Sequence, residues 1–183
     1  MERKNILLIG FMGTGKSTVS ARLKKELDMK EVDTDMLIEK RQGMTISDIF
    51  AKKGEEAFRN METELLKELK SERNLIISCG GGMALRDENA AVMKEAGTVV
   101  WLTAEPETIL ERVKHDDSRP LLRGNKNVEF IGNLLEQRYS KYKAAADVAV
   151  ATDCRTVKDI CGEIIRKRPA PDLLLEVLLR LPQ

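Results

Sequence analysis

The nine-residue stretch GFMGTGKST, near the start of the chain, constrains the fold more than any other feature. It occupies residues 10–18 and follows an apolar run, Ile-Leu-Leu-Ile, at residues 6–9. A glycine, four further residues and then Gly-Lys-Ser is the spacing of a loop that leaves a buried strand, wraps its backbone N–H groups around phosphates and opens a helix. The stretch therefore predicts an α/β sheet whose first strand leads directly into a nucleotide-binding loop.

Two side chains of this loop can act on a nucleoside triphosphate. Lys16 can reach the β- and γ-phosphates, and the Ser17 hydroxyl can ligate Mg²⁺. The N-terminus of the following helix adds a partial positive charge. A plain glycine-rich turn with a surface lysine is the alternative, but it does not require this position between a strand and a helix. We therefore expect a nucleoside triphosphate to bind here.

Apolar runs and helical patterns alternate along the rest of the chain. Runs that predict strands lie at residues 5–9, in a segment ending at 33, and at 75–78, 99–102 and 147–151. Helical patterns cover residues 36–42, 46–53, 56–70 and 156–167, and the helix after the loop carries apolar residues at positions 19, 23 and 27. This alternation is typical of a parallel α/β domain.

Length and composition argue against several classes of protein. At 183 residues the chain suits one domain, and 31 Lys and Arg against 30 Asp and Glu give no charge bias toward nucleic acid or an acidic membrane surface. No stretch approaches the ~20 apolar residues that a membrane span needs. Three cysteines without metal-site spacing favour a protein with reduced thiols in the cytoplasm.

Two segments depart from the alternating pattern. Residues 115–127 are polar and contain Gly, Pro and Asn, which predicts a mobile lid over about 113–127. Residues 169–183 form a leucine-rich tail of unknown role, beyond a domain expected over residues 1–168. We expect a monomer, with self-association through the tail as the alternative.

Two carboxylates stand where the second strand ends, in the sequence EVDTD. Strand ends at this edge of a parallel sheet face the ligand crevice, and a single intervening residue places both on the same side of an extended chain. We assign Asp33 to magnesium, through water, and Asp35 to the hydroxyl that accepts a phosphoryl group. The alternative is that both merely cap the following helix.

Glycines and arginines supply the remaining candidates. Residues 80–82 are three consecutive glycines after a strand, and they either bring bare backbone close to a small substrate or form a flexible turn. Arg59 has Glu62 three residues later on a helix, a spacing at which the carboxylate can hold the guanidinium. Arg119 lies in SRPLL, and Arg138 lies in EQRYSKY. A surface arginine is usually only solvated, so their interpretation depends on the wider pattern.

That pattern is the series of motifs formed by the phosphate loop, DTD, FR followed by Glu, GGG, RPLL and RYxxY. Across about residues 5–167 their order and approximate spacing resemble those of shikimate kinases. The resemblance implies ATP-dependent phosphorylation of the 3-hydroxyl of shikimate, in aromatic amino-acid biosynthesis. It also implies a three-layer fold similar to the nucleoside monophosphate kinases, with a five-stranded parallel sheet in the order 2-3-1-4-5 and helices on both faces.

The resemblance also implies roles for individual residues. Those that would bind shikimate are Asp35, Arg59, Gly80, Gly81, Gly82 and Arg138. Those that would hold ATP are Gly13, Thr14, Gly15, Lys16, Ser17 and Thr18, with Arg112 and Arg155 on the adenine side and the lid Arg119 on the transferred phosphate. For magnesium the resemblance implies Ser17, and Asp33 is added from its position at the strand end. Catalysis would depend on Lys16, Asp35 and Arg119.

The chemistry of shikimate fits these side chains, since Arg59 and Arg138 can each pair bidentately with its carboxylate. A gluconate kinase also takes a hydroxy-carboxylate, so a single arginine does not separate the two. A nucleoside monophosphate kinase would need a base-binding pocket instead. The alternative from another class is a non-catalytic nucleotide-binding module, against which the intact set of charged residues argues.

Overall fold

A computed structural model describes residues 4–114 and 127–168 of the chain. Its central sheet has five strands in the order β2-β3-β1-β4-β5, and every neighbouring pair runs parallel. The strands are β1 (Asn5–Ile9), β2 (Lys30–Asp33), β3 (Leu75–Ser78), β4 (Gly97–Thr103) and β5 (Val148–Ala151). The predicted strand order and the parallel α/β class are confirmed.

Helices cover both faces of this sheet, which forms the middle of three layers. They are α1 (Lys16–Leu27), α2 (Thr34–Gln42), α3 (Ile46–Lys53), α4 (Glu55–Lys70), α5 (Asp87–Ala96), α6 (Pro106–Val113), α7 (Val128–Ala145) and α8 (Val157–Lys167). Apolar side chains of α1 and α8 pack on one face, and those of α3, α4, α5 and α7 pack on the other. Across residues 4–114 and 127–168, no helix has the length and apolarity needed to cross a membrane.

The central strand β1 shows why the sequence forms this arrangement. Its side chains are all buried, with Ile6 and Leu8 in one core and Leu7 in the other, because alternate residues of a strand face opposite sides. Asn5 is the polar exception. Its amide donates to the carbonyl of Glu72, and its side-chain oxygen accepts from the N–H of Leu75.

Side-chain caps set the start of several helices. Thr45, Asn127 and Thr156 each accept a hydrogen bond from a backbone N–H in the first turn of α3, α7 and α8. Asp33 does the same for α2, accepting from the N–H of Met36 at 3.1 Å. Because of this cap, α2 starts at residue 34, two positions before the start that its apolar pattern predicts.

The carboxyl ends of β1, β2 and β3 meet at one edge of the sheet, where the loops that follow them lie close together. The register aligns Ser78 with Leu8 on one side and with Asp33 on the other. A third apolar cluster supports this edge, formed by Phe11 of the loop after β1 with Ile109, Val113 and Ile131 of α6 and α7. Parallel α/β sheets bind ligands at this edge.

Candidate active site

The phosphate loop, residues 10–15, closes on itself before α1 begins. Thr14 Oγ1 donates to the carbonyl of Phe11 at 2.8 Å, and Lys16 Nζ donates to the carbonyls of Gly10 and Phe11 at 2.9 and 3.0 Å. Gly15 occupies the N-cap of α1 with a φ of 93°, a conformation that favours glycine, and no described side chain caps this helix. In such an arrangement the first N–H groups of a helix can bind phosphate.

The two side chains predicted to serve magnesium lie on adjacent elements of this edge. Ser17 is exposed in the first turn of α1, and Asp33 is the last residue of β2. The alternative considered for Asp33 is present, since it caps α2. That hydrogen bond uses Oδ1 alone. Capping therefore does not decide between the two roles, and the magnesium assignment of Asp33 stays a prediction.

Two carboxylates converge on the first residue of the triple glycine. A Cβ atom placed on Gly80 would collide with Oδ1 of Asp35 and would lie 2.8 Å from Oε1 of Glu62. The Gly80 N–H donates to Thr34 Oγ1 at 2.9 Å, which fixes the backbone here. The close approach that the glycines predict is present, but at Gly80 the approaching groups are the protein's own side chains.

Arg59 on α4 makes a similar approach at the end of the triple glycine. Its guanidinium lies so close to Gly82 that any Cβ there would collide with it. Nη1 donates to Oε2 of Glu62 at 2.7 Å, and Nη2 donates to Oε1 of Glu55 at 3.0 Å. The guanidinium carbon also lies 5.4 Å from the ring centre of Phe58. The ion pair with Glu62 that the spacing predicts is therefore present, and it fixes the arginine beside the glycines.

Glu62 is a buried carboxylate in this group, with a side chain that is 0% exposed. Its Oε1 has no hydrogen-bond partner among the described residues. Burial raises the pKa of Glu62 to about 7, which outweighs the lowering effect of Arg59, and the nearby Asp35 adds to the rise. The site therefore holds a carboxylate that titrates near neutrality.

Arg138 on α7 lies beside the phosphate loop. Its guanidinium carbon lies 5.3 Å from the ring centre of Phe11, in the phosphate loop. Four residues later, the hydroxyl of the buried Tyr142 donates to the carbonyl of Gly81 at 2.5 Å. Helix α7 therefore contacts both the phosphate loop and the triple glycine, which places Arg138 close to the residues expected to bind phosphate and acceptor.

The sequence and structure were compared with known proteins. The family model described as shikimate kinase matches residues 12–168. The chain belongs to the shikimate kinase family. A shikimate kinase of Persephonella marina is 44% identical over 88% of this chain and 97% of its own length, and one of Sulfurihydrogenibium sp. is 43% identical over 90% and 97%. A shikimate kinase of Acinetobacter baumannii, solved in complex with shikimate, is 33% identical with a TM-score of 0.85, covering 98% of this chain and 96% of that one.

The fold extends beyond this family. A gluconokinase of Sinorhizobium meliloti covers 90% of this chain and 90% of its own, with a TM-score of 0.54 and 17% identity. At that identity the likeness shows a shared fold alone. The assignment to shikimate kinases therefore depends on the family model and on the relatives at about 40% identity.

The two arginines expected on the adenine side both bind the protein's own backbone. Arg112 on α6 donates to the carbonyl of Gly13 at 3.1 Å, and to both the hydroxyl and the carbonyl of Thr152 at 3.0 Å. Arg155 donates to the carbonyl of Ala151 at 3.0 Å and forms an ion pair with Glu163 at 2.6 Å. Arg112 thereby links the phosphate loop to the segment after β5, and adenine contacts by either arginine stay predictions.

The remaining predicted positions divide into two groups. Thr18 lies exposed in the first turn of α1, next to Ser17. Arg119, most of the predicted lid and the whole leucine-rich tail lie outside the described residues. Their predicted roles stay predictions.

Two residues with clear contacts in the site were not singled out from the sequence. Thr34, the middle residue of DTD, is 0% exposed and accepts the hydrogen bond from Gly80. Tyr142 ends the RYxxY motif and holds the carbonyl of Gly81. Both lie inside recognised motifs, but their partners are 46 and 61 positions away in the chain, so only the fold reveals the contacts.

Proposed function

We propose that this member of the shikimate kinase family transfers the γ-phosphoryl group of ATP to the 3-hydroxyl of shikimate, in aromatic amino-acid biosynthesis. The observation that carries the proposal is the convergence of Asp35, Arg59 and the triple glycine next to a phosphate loop. A hydroxyl bound in that space would face the phosphates held by the loop. The close relatives named shikimate kinase support the same acceptor.

At the acceptor end, Arg59 and Arg138 would pair with the carboxylate of shikimate. Each guanidinium can offer two parallel N–H groups to a carboxylate, which fixes orientation as well as charge. Asp35 would accept a hydrogen bond from the attacking hydroxyl and orient it. It need not be a strong base, because phosphoryl transfer has a loose transition state and depends mainly on positioning and on charge.

At the donor end, the loop N–H groups and Lys16 would hold the phosphates. Lys16 now donates to loop carbonyls, and the β- and γ-phosphates would replace those acceptors when ATP binds. Ser17 and Asp33 present oxygen atoms of the kind that Mg²⁺ prefers, and an ion held there would neutralise charge on the phosphates. Arg119 would approach the transferred group from a lid that excludes water.

We also propose that the chain acts as a cytoplasmic monomer, with one catalytic domain over residues 1–168 and a tail over residues 169–183. Its partners would be shikimate and ATP, with no nucleic acid or membrane involved. The three cysteines are all free thiols, which supports a reducing compartment.

The test is ADP release from Mg-ATP with shikimate, gluconate or a nucleoside monophosphate as the acceptor. We expect release that depends on shikimate alone. Turnover with gluconate but not with shikimate would support the assignment of the phosphate loop to ATP and overturn the assignment of shikimate as the acceptor. A protein that binds ATP but turns over none of them would be a non-catalytic nucleotide-binding module.

A further inference from the structure

The side chain of Thr34 lies where β2 ends and α2 begins, between Asp33 and Asp35 in the chain. It is 0% exposed. Its Oγ1 donates to the carbonyl of Ser78 at 3.3 Å and accepts from the N–H of Gly80 at 2.9 Å. One oxygen atom thus connects the segment that carries the two aspartates to the strand end that leads into the triple glycine.

These two hydrogen bonds continue the sheet beyond its last backbone pair. The register of β2 and β3 ends with Asp33 beside Ser78, so the next pair would join Thr34 to Cys79. In a parallel ladder, a residue paired with Cys79 donates to the carbonyl before it and accepts from the N–H after it. The Thr34 hydroxyl makes these same two bonds, although its backbone has already entered α2. The chain can therefore turn from strand to helix without a loop while the strand end stays attached.

The Gly80 peptide is bonded within the protein on both sides. Its N–H donates to Thr34, and its carbonyl accepts from the N–H of Met83 at 3.0 Å. The carboxylate of Asp35 fills the space that a side chain at position 80 would take. Gly80 is therefore held against Asp35, and a backbone donor to the acceptor would come from one of the two later glycines.

We propose that Thr34 is a positioning residue for phosphoryl transfer, whose hydroxyl fixes Asp35 and the triple glycine at one separation before the acceptor binds. Asp35 is the next residue in the chain, in the first turn of α2, so the bond from Gly80 to Thr34 sets where its carboxylate lies relative to the glycines. Reaction rates are sensitive to displacements of about 1 Å between such groups. The inference rests on the proposed function, since it assumes that Asp35 orients the attacking hydroxyl.

The matched pair Thr34→Val and Thr34→Ser tests the proposal. Valine keeps the branched shape and removes the hydroxyl, whereas serine keeps the hydroxyl and removes a methyl group. For Thr34→Val we expect kcat/KM for shikimate to fall about 10-fold, the size of one lost hydrogen bond to a buried N–H, with KM for ATP within about 2-fold of wild type. Thr34→Ser retains a donor and an acceptor, so it should restore kcat/KM to within about 3-fold. A serine variant as impaired as the valine variant would overturn the proposal, because the methyl group and not the hydroxyl would then matter.

The control for the substitution type is Thr98→Val. Thr98 is a buried threonine in the second position of β4, and its backbone pairs with Ile6 in the second position of β1. It therefore lies near the amino ends of the strands, at the opposite edge of the sheet from the site. Thr98→Val should keep the wild-type kcat/KM for shikimate. An equal fall in both variants would overturn the proposal, since it would reflect the loss of any buried hydroxyl.

A double variant separates positioning from general stability. In an enzyme that already carries Asp35→Asn, adding Thr34→Val should lower kcat/KM for shikimate by less than about 3-fold, because the charged group to be positioned is gone. A further fall of about 10-fold, which would make the two substitutions additive, would overturn the proposal. A rise in KM for ATP as large as the loss in kcat/KM for shikimate would also overturn it, since it would indicate a disturbed fold.

Two further measurements keep the outcomes distinct. The wild type is measured first with shikimate and with gluconate. Turnover with gluconate alone would reject the proposed acceptor, and the Thr34 variants would then be compared with gluconate as the substrate. If Thr34→Val does not fold, Thr34→Ala removes the same oxygen without placing a methyl group against the N–H of Gly80. Failure of both variants to fold would assign the hydroxyl to stability and overturn the proposal.

Discussion

The two sides of the site hold their basic side chains in different ways. On the acceptor side, Arg59 forms ion pairs with Glu62 and Glu55 next to a backbone without side chains. On the nucleotide side, Lys16 and Arg112 donate to carbonyls of the loop and of neighbouring segments. An ion pair between side chains fixes a charge at low exposure, whereas a bond to a loop carbonyl can be exchanged for a phosphate oxygen. The acceptor side is therefore preorganised, and the nucleotide side is completed by its ligand.

The largest effect on activity is expected at Lys16, whose hydrogen bonds to loop carbonyls can be exchanged for bonds to phosphate. Lys16→Met removes the ammonium that would move from loop carbonyls to phosphate, so kcat should fall by about 10³-fold. Steady-state ADP release measures this loss, and circular dichroism checks the fold. Lys25→Met, an exposed position on the same helix, is the matched control and should keep full activity. A Lys16→Met enzyme that retains a tenth of its activity would contradict an essential role for this charge.

On the preorganised side, Asp35→Asn should lower kcat by about 10²-fold while leaving ATP affinity within about 2-fold. The amide fills the same volume beside Gly80 but no longer supplies a charged acceptor for the attacking hydroxyl. Single-turnover kinetics and ATP titration measure the two quantities separately. An equal loss in ATP affinity would place Asp35 in the nucleotide site. It would then contradict the assignment of Asp35 to the acceptor side.

Both residues could be found from the sequence because each lies in a local motif. Lys16 belongs to a phosphate loop between a strand and a helix, and Asp35 follows the end of a strand in EVDTD. By contrast, Arg112 donates to the carbonyl of Gly13, 99 positions away in the chain, and no pattern in the sequence predicts a hydrogen bond over that separation. Sequence also left both roles of Asp33 open, because an aspartate after a strand can cap a helix and face a metal equally well. The sequence therefore predicts residues that lie in local motifs, and it does not predict contacts between distant segments of the chain.

A smaller effect is expected on the stability of the acceptor side, through the buried carboxylate of Glu62. The pKa of Glu62 is about 7 in the folded protein against 4.5 for an ordinary glutamate. Between these values the folded state binds a proton that the unfolded state does not, so Glu62 makes the free energy of unfolding fall as pH rises from about 4.5 to 7. The contribution is about 3 kcal/mol, and Glu62→Gln should lack it.

Urea unfolding at pH 5 and pH 8 tests this expectation in both proteins. The wild type should lose more stability between the two values than Glu62→Gln. The control is Glu55→Gln, since Glu55 pairs with the same arginine but its side chain is 63% exposed, and it should keep the wild-type difference. If Glu62→Gln shows the same pH dependence as the wild type, the buried carboxylate is not the group that titrates.

The smallest effect concerns the link between the phosphate loop and the segment after β5. Arg112→Lys cannot reproduce three hydrogen bonds to Gly13 and Thr152, and the loss of one or two neutral acceptors corresponds to a rise of about 5-fold in KM for ATP. KM for shikimate should stay unchanged, because the acceptor side is held by its own ion pairs. Arg22→Lys, at an exposed pair on α1, controls for the substitution type. A matching rise in KM for shikimate would mean that the two sides are mechanically coupled, and that the acceptor geometry depends on the nucleotide loop after all.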